Sequence, residues 1–336
     1  MAKTYHIITF GCQANLADSE RIARKLEMSG YKMVAKPKSA NLIVINACSV
    51  RQSAIDRVYG RIRELSAQGR PASGWKNKKI ILAGCVLEVD KRKLKDKIDE
   101  FWHPDEYFDL VPIGSGSNVA YIPIMTGCNN FCTYCAVPYT RGRERSRPAK
   151  NIIKDVKNAL KNKIKEIWLL GQNVNSYKYD FLKLLKTIND IAGDFKIHFM
   201  SSHPKDFSDE LIKTIAECKK VSREIHLPAQ SGDNMILKKM NRKYTVGRYK
   251  KLIKKIRKAV PDIKISTDII VGFPSETEKQ FQNTVKLFKE LKFSKAYIGK
   301  YSPRPGTPAA KMKDDVSIKE KKRRWKILNE IANPKK

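Results

Sequence analysis

The stretch that decides the fold is residues 124–148, IMTGCNNFCTYCAVPYTRGRERSRP, which places Cys128, Cys132 and Cys135 within one short loop. A structural zinc site would need a fourth Cys or His ligand, and none stands nearby in the sequence. A [4Fe-4S] cube can be held by three thiolates, which leaves one iron open for a substrate or cofactor. The spacing therefore favours an iron–sulfur site over zinc or a simple redox thiol, which are the structural alternatives.

The cysteine loop follows the first of six candidate strands, which read AYIPIM, EIWLL, KIHFM, EIHL, KISTDII and KAYIGK. Helical patterns such as DFLKLLKTIND and FQNTVKLFKELK separate the strands. Six such units in series predict a partial, TIM-like (β/α)6 barrel, in which function lies on the loops that follow the strands.

Upstream, three short apolar strands, YHIITF, LIVIN and IILAG, each precede a helical stretch and predict a doubly wound parallel sheet. A cysteine follows each strand at its carboxyl end: Cys12, Cys48 and Cys85. Ligands of open parallel sheets bind at this edge, so we expect the three thiols to form a second shared site. A single cysteine of this kind is usually a small buried side chain, and coincidental burial is the alternative.

Two polar stretches divide the chain. The stretch SAQGRPASGWKNKK, residues 66–79, reads as a loop inside the first domain, and the Gly/Ser-rich VPIGSGSNVA, residues 111–120, reads as a joint. We therefore predict an N-terminal domain over residues 1–116 and a barrel domain over residues 117–336.

The charge of the chain favours a polyanionic partner. The 336 residues include 68 Lys and Arg against 34 Asp and Glu, a formal charge of +34. A lysine-rich proteome would also produce such an excess, because most of the lysines lie on solvated helix faces. The arginines beside the cysteine loop are a more specific indication of such a partner, since a guanidinium can donate two parallel hydrogen bonds to phosphate oxygens. The candidate RNA-binding residues are Arg141, Arg143, Arg145 and Arg147.

The compartment follows from what the sequence lacks. No apolar run approaches the roughly 20 residues that span a bilayer. No secretory h-region precedes MAKTYHIITF, and the seven cysteines do not form a disulfide framework. We expect a cytoplasmic protein that does not bind membranes, and we expect a monomer. Cys218 lies on a helical pattern away from the strand ends and is expected to be a buried structural thiol.

The sequence resembles the radical S-adenosylmethionine (SAM) methylthiotransferases, most closely the MiaB-type tRNA enzymes. GCNNFCTYC matches the CxxxCxxC loop of radical SAM enzymes, including the aromatic Tyr134 before the third cysteine. Further landmarks follow in order from Tyr5 to about Ala332: TFGCQANLADSE, NACSVRQSA, AGCVLE, LLGQNVNSY, SSHP, HLPAQSG, DIIVGFPSET and SPRPGTPAAKM. Members also carry an RNA-binding β-domain called TRAM, which we expect to be absent because the chain stops at Lys336.

The resemblance implies two [4Fe-4S] clusters. One is an auxiliary cluster on Cys12, Cys48 and Cys85, and the other is a radical-SAM cluster on Cys128, Cys132 and Cys135. It also implies two uses of SAM, as radical source and as methyl donor, with an electron donor such as flavodoxin or ferredoxin. Candidate SAM-binding residues on the loops after the strands are Gln172, Asn173, Ser202, His203, Gln230 and Gly272. Loop capping is the alternative role for the amides among them.

The implied substrate is tRNA, at an isopentenylated adenosine next to the anticodon. GQNVNSY and NACSVRQSA resemble the enzymes of this substrate, whereas relatives that act on threonylcarbamoyl-adenosine differ at both places. The same chemistry on threonylcarbamoyl-adenosine of tRNA remains an alternative, as does a sister enzyme that modifies a ribosomal-protein aspartate and shares both cluster motifs. An iron–sulfur electron carrier would need neither the barrel nor its loop motifs.

Overall fold

The computed structural model describes residues 3–66, 78–112 and 118–333. The first part is a parallel sheet with helices on both faces. Its strands and helices are β1 (Thr4–Thr9), α1 (Gln13–Met28), β2 (Lys32–Met33), β3 (Leu42–Cys48), α2 (Gln52–Ser66), β4 (Lys79–Cys85), α3 (Glu88–Leu94) and β5 (Glu100–Trp102).

The sheet has the strand order β2-β1-β3-β4-β5, with every pair parallel. Strand β3 is buried along its whole length because its alternate side chains face different helices. Leu42 and Val44 pack with Ile22 of α1, whereas Ile43 and Ile45 pack with residues of α2. This three-layer arrangement confirms the predicted doubly wound sheet, and the switch point at which the strand order reverses lies between β1 and β3.

The second part begins with the cysteine loop and continues as alternating strands and helices. Its strands are β6 (Val119–Pro123), β7 (Met125–Thr126), β8 (Arg145–Ser146), β9 (Glu166–Leu170), β10 (Lys196–Phe199), β11 (Glu224–His226), β12 (Lys264–Val271) and β13 (Lys295–Lys300). Its helices are α4 (Val137–Thr140), α5 (Ala149–Lys161), α6 (Phe181–Asn189), α7 (Asp209–Glu217), α8 (Asn234–Lys239), α9 (Val246–Ala259), α10 (Glu278–Leu291) and α11 (Ile318–Ala332).

Six parallel strands of this part form two three-stranded sheets, β6-β9-β10 and β11-β12-β13. An isolated parallel bridge between Ile197 and Val221 joins the two sheets. One apolar core, which includes Ile167, Ile197 and Ile265, lies between the strands and the surrounding helices. The predicted partial (β/α)6 barrel is confirmed, with its six strands in the order in which the sequence runs.

Helix α1 of the first part packs on its own sheet and also against β6 of the barrel, so it lies between the two sheets. The predicted domain boundary, at residues 116 and 117, lies outside the described residues, as does most of the polar loop predicted over residues 66–79. The short strands β2 and β5 were missed by the sequence patterns, because two or three residues are too few to show an alternation.

Candidate functional site

Three cysteines lie at the carboxyl edge of the first sheet. Cys48 and Cys85 are the last residues of β3 and β4 and stand opposite each other in the strand register. Cys12 is the N-cap residue of α1, just after β1, which is the neighbour of β3. Cys12 is exposed, whereas Cys48 and Cys85 are buried. The fold thus brings the three predicted thiols to one edge, with Cys12 at its opening.

Two buried asparagines hold the chain around these thiols. The Asn15 amide donates to Asn46 Oδ1 and to the Ala47 carbonyl, both at 3.0 Å, and the Asn46 amide donates to the Asn15 carbonyl at 2.7 Å. Gly84 has a φ of +93°, and a Cβ there would come within 2.3 Å of Asn46 Oδ1. A glycine before Cys85 is therefore required, because the chain passes too close to Asn46 for any side chain.

Burial governs the protonation of the free thiols. It raises the pKa of Cys85 to about 12, and it also raises the pKa of Cys48. Secondary electrostatic influences on the pKa come from Cys12 and Arg141 for Cys48, and from Arg141, Cys48 and Cys12 for Cys85. Metal ligation requires thiolates, so loading this site releases protons.

The second set of thiols lies on the loop between β7 and α4. Cys128 and Cys132 are buried, and Cys135 is partly exposed. The Asn130 amide lies 3.5 Å from Cys128 Sγ, and an Arg242 amino group lies 3.3 Å from Cys132 Sγ. Burial, with the neighbouring Cys132 as a secondary cause, raises the pKa of the Cys135 thiol to about 12.

Gly127 starts this loop with a φ of +77°, and a Cβ there would lie 2.0 Å from the Arg143 carbonyl oxygen. The loop therefore folds back tightly on the chain that follows α4. This return is fixed by β7 and β8, which pair antiparallel, and by a hydrogen bond from the Cys128 amide to the Gly142 carbonyl at 3.1 Å. These contacts fix the course of the backbone that carries the three thiols.

Within the described part of the chain, no three His, Cys, Asp or Glu side chains surround a point that would hold a single metal ion. A [4Fe-4S] cube binds each thiolate at a different iron, so its ligands need not meet around one ion. The donor set, with three thiols and no fourth ligand at either edge, fits such a cluster better than zinc.

The predicted SAM-binding residues lie on the carboxyl ends of successive barrel strands. Gln172 and Asn173 follow β9, Ser202 and His203 follow β10, Gln230 follows β11 and Gly272 follows β12. Four of them carry a buried polar atom that has no hydrogen-bond partner among the described residues. These atoms are Gln172 Oε1, Asn173 Oδ1, Ser202 Oγ and His203 Nε2. Buried polar groups are almost always paired, so four unpaired atoms on one rim indicate a place for a polar ligand.

The state of His203 is set by its surroundings. Burial, with Arg242 and Lys205 as secondary causes, lowers the pKa of His203 to about 2, so the ring is neutral. Its Nδ1 accepts from the Lys205 amide at 3.2 Å, and its proton therefore resides on Nε2. The unpaired Nε2 is thus a hydrogen-bond donor. Asn175 fixes the segment, because its amide group pairs with the backbone of His203 at 2.9 and 3.1 Å.

The other two rim residues have backbone roles in the structure. Gln230 has a φ of +66° and pairs through its backbone with Asp268 and Ile270 of β12. Gly272 has a φ of +67°, and a Cβ there would approach Lys321 Cγ of α11 to 2.3 Å. Gly272 is therefore needed for the packing of α11, and no contact here assigns a ligand to it.

The four arginines after the cysteine loop separate into two pairs. Arg141 and Arg147 are only 4% and 1% exposed. Arg141 pairs with Asp18, and Arg147 lies 2.9 Å from Asp155, so burial argues against their predicted contact with a phosphate backbone. Arg143 is exposed and lies over the Phe131 ring at 4.3 Å.

Arg145 is also at the surface, where it pairs with two carboxylates of the first domain. It lies 2.9 Å from Asp105 and 2.6 Å from Asp109. Arg143 and Arg145 therefore remain accessible candidates for the predicted contact with RNA. Cys218 is buried within the barrel core, as expected for a structural thiol.

Three residues of the sites were not singled out from the sequence: Asn130 and Arg242, which contact cluster thiols, and Asp18, which pairs with Arg141. Asn130 lies inside the cysteine loop and could have been considered. Arg242 is 110 residues from its sulfur partner, and no local pattern connects the two.

Two family models match the chain. The Radical SAM superfamily matches residues 122–288, and the uncharacterized protein family UPF0004 matches residues 4–103. A solved radical SAM methyltransferase, TsrM from Kitasatospora setae with cobalamin and a [4Fe-4S] cluster bound, superposes with a TM-score of 0.66 at 12% identity. The match covers 92% of this chain and 77% of that one, and it supports the fold.

Curated relatives match over nearly the whole chain. The tRNA-2-methylthio-N(6)-dimethylallyladenosine synthase of Clostridium novyi (strain NT) is 42% identical over 98% of this chain and 81% of its own length. The enzyme of the same name from Alkaliphilus oremlandii (strain OhILAs) is 43% identical over 98% of this chain and 78% of its own. The cysteines lie at two strand edges, and the barrel rim carries unpaired polar atoms. Because the identity to these relatives extends over nearly the whole chain, the chain belongs to the tRNA-2-methylthio-N(6)-dimethylallyladenosine synthase family, within the radical SAM superfamily.

Proposed function

We propose that this protein adds a methylthio group to an isopentenylated (dimethylallyl) adenosine of tRNA, next to the anticodon, with SAM and two [4Fe-4S] clusters. The observation that carries the proposal is the position of the six cysteines. They form two sets of three, each at the carboxyl edge of a parallel sheet, and in the described part of the chain neither set has a fourth Cys or His beside it. The names of the curated relatives support the same reaction.

In the barrel, Cys128, Cys132 and Cys135 would hold the cluster that serves SAM. When bound, this cluster supplies the electron that cleaves SAM and starts the radical reaction. Asn130 and Arg242 would donate hydrogen bonds to its thiolates, since both lie within 3.5 Å of a sulfur. Donors of this kind stabilise thiolate charge where burial would otherwise disfavour it.

SAM itself would bind along the rim. Its ribose hydroxyls and adenine need acceptors and donors, and the rim offers both. The acceptors are Gln172 Oε1 and Asn173 Oδ1, and Ser202 Oγ can accept or donate. His203 Nε2 would donate, because the ring is neutral with its proton on that atom. A neutral donor can approach the cationic sulfonium ligand without charge repulsion.

In the first domain, Cys12, Cys48 and Cys85 would hold the auxiliary cluster, which when bound would carry the sulfur atom that is transferred. Cys12 is exposed at this edge of the sheet, and Cys48 and Cys85 are buried. The chain's part in the transfer would be to hold this edge beside the barrel, against which α1 packs.

The substrate class is supported by charge. A formal charge of +34 attracts the tRNA backbone, and Arg143 is exposed beside the barrel's cysteine loop. An adenosine in a single-stranded loop can be unstacked and brought to the rim. We further propose a flavodoxin or ferredoxin as electron donor and a cytoplasmic monomer as the working form. Among the described residues, no helix is both long and apolar enough to cross a bilayer.

Nucleoside mass spectrometry tests the reaction. The chain is expressed in a strain that lacks its own methylthiotransferase, and its tRNA is digested and analysed. Gain of methylthio on isopentenyl-adenosine supports the proposal. Gain only on threonylcarbamoyl-adenosine, or on a ribosomal-protein aspartate, assigns the chain to a sister activity. The matched control is a variant with Cys12, Cys48 and Cys85 all replaced by Ala, which should give no methylthio product.

Iron analysis tests the cluster count separately. Anaerobically reconstituted protein should carry about eight irons if each set of thiols holds one cube. The same triple variant should carry about half as much iron and should still cleave SAM. Full iron in the triple variant would contradict the auxiliary site.

A further inference from the structure

Arg141 connects the two cysteine sites. It stands six residues after Cys135 in the barrel loop, yet its Nε donates to Cys85 Sγ of the first domain at 2.8 Å. Its terminal amino group pairs with Asp18 at the start of α1. All three side chains are nearly inaccessible: Arg141 and Cys85 are each 4% exposed and Asp18 is 1% exposed.

Other charged contacts also cross the interface between the two parts of the chain. Arg145 reaches Asp105 and Asp109, and Arg304 lies 3.8 Å from Asp90. These contacts hold the two parts together, but their partners are carboxylates and not thiols. Docking alone therefore does not require the Nε of Arg141 to point at Cys85.

The chemistry of the contact suggests its use. Reduction adds one negative charge to an iron–sulfur cluster, and hydrogen bonds to its sulfurs and nearby charges set its reduction potential. A guanidinium is always protonated and supplies several donors in a fixed plane. The Asp18 carboxylate fixes the orientation of the Arg141 guanidinium and offsets part of its positive charge.

We propose that Arg141 and Asp18 are a positioning pair that orients the Cys85 ligand and sets the reduction potential of the auxiliary cluster from the barrel side. The inference rests on the proposed ligand set of Cys12, Cys48 and Cys85. Under this proposal the auxiliary site is complete only when the barrel is docked, because the guanidinium that donates to the Cys85 thiolate comes from the loop that carries the other three cysteines.

Replacing Arg141 and replacing Asp18 should shift the reduction potential of the auxiliary cluster in opposite directions. Arg141→Gln removes a cation and a thiolate donor and leaves the Asp18 carboxylate uncompensated, so the reduced cluster is destabilised and the potential falls. Asp18→Asn removes the negative charge, so the potential rises. A merely structural role would move both potentials in the same direction, through loosened packing, or would move neither.

The test uses the full chain with Cys128, Cys132 and Cys135 replaced by Ala, so that the remaining iron belongs to the first domain. The parent and each variant are reconstituted anaerobically with iron and sulfide. Iron content is measured, and the cluster is titrated with a chemical reductant while its paramagnetic resonance is followed. Arg145→Gln, which removes a cross-domain pair that touches no thiol, is the matched control and should keep the parent potential.

We expect a lower potential for Arg141→Gln, a higher one for Asp18→Asn and the parent value for Arg145→Gln. Arg141→Lys keeps the charge but loses the planar donor, so it should lie between Arg141→Gln and the parent. If Arg141→Gln does not fold, as melting would reveal, the opposite shifts of Arg141→Lys and Asp18→Asn carry the test.

Unchanged potentials in Arg141→Gln and Asp18→Asn, or shifts of the same sign, overturn the inference while the ligand assignment stands. A parent protein without iron overturns the ligand assignment itself and, with it, this inference. The two failures are thus distinguished by the iron content of the parent.

Discussion

Asp155 of α5 lies between two buried guanidiniums, and its replacement by Asn tests how the barrel is held to the first domain. Its side chain is 1% exposed and lies 2.9 Å from Arg147 and 3.6 Å from Arg21 of α1. Burial, with Arg147 as a secondary cause, lowers the pKa of Arg21 to about 10, so Arg21 still carries its charge at pH 7. Asn keeps the shape of the side chain but removes the carboxylate with which both guanidiniums pair.

Removing one member of a buried ion pair costs about 3–5 kcal/mol, because the partner stays buried and uncompensated. Here two cations lose their shared carboxylate, so we expect the free energy of unfolding to fall by at least about 3 kcal/mol. At about 2–4 °C per kcal/mol this corresponds to a melting temperature lower by about 6–20 °C.

The assay is urea unfolding and thermal melting of the full chain, followed by circular dichroism. Asp194→Asn is the control, since Asp194 is 93% exposed and lies 3.8 Å from the exposed Lys165. Such a surface pair contributes about 0–1 kcal/mol. If Asp155→Asn destabilised the protein no more than the control does, the charge compensation assigned to Asp155 would be refuted.

Three further predictions address the rim and the surface. Asn173→Ala removes an unpaired buried acceptor and should weaken SAM binding about 5- to 30-fold at unchanged iron content, the equivalent of about 1–2 kcal/mol; equal affinity by calorimetry would contradict the SAM role. His203 has a pKa lowered to about 2, so below its ordinary value of 6.5 only the unfolded chain takes up this proton. Stability should therefore fall from pH 6.5 to pH 5 by about 2 kcal/mol, and His203→Gln should remove that loss, as urea unfolding at both values will test. Binding of tRNA should weaken steeply with salt, and Arg143→Gln should lower the slope of log K against log salt by about one. An unchanged slope in a filter-binding assay would exclude a phosphate contact at Arg143.

Much of the fold could be predicted because local patterns encode it. Most of the parallel strands in both parts of the chain show apolar runs of sufficient length, and parallel pairing then places their carboxyl ends at one edge of each sheet. That geometry brings Cys48 and Cys85 into register, although 37 residues separate them in the sequence. Strands β2 and β5 show no such pattern, since their pairing is decided by the neighbouring strands.

The rim was predicted as a location but not in its details. Loops after barrel strands are where ligands bind, so Asn173 and His203 could be placed there from order alone. That His203 is neutral, with its proton on Nε2, follows from its burial and from the Lys205 amide at 3.2 Å. Neither the burial of His203 nor its contact with the Lys205 amide can be predicted from the sequence.

The sequence by itself determined the two α/β parts, the two sets of three cysteines and the edges at which they lie, because strand periodicity and spacing are local properties. Only the tertiary structure decided the roles of the arginines. Arg141 and Arg143 are alike in sequence, but one is buried against partners 56 and 123 residues away and the other faces solvent. Docking of α1 against the barrel makes that distinction, because it excludes water from Arg141 and supplies the Asp18 carboxylate that its charge then requires.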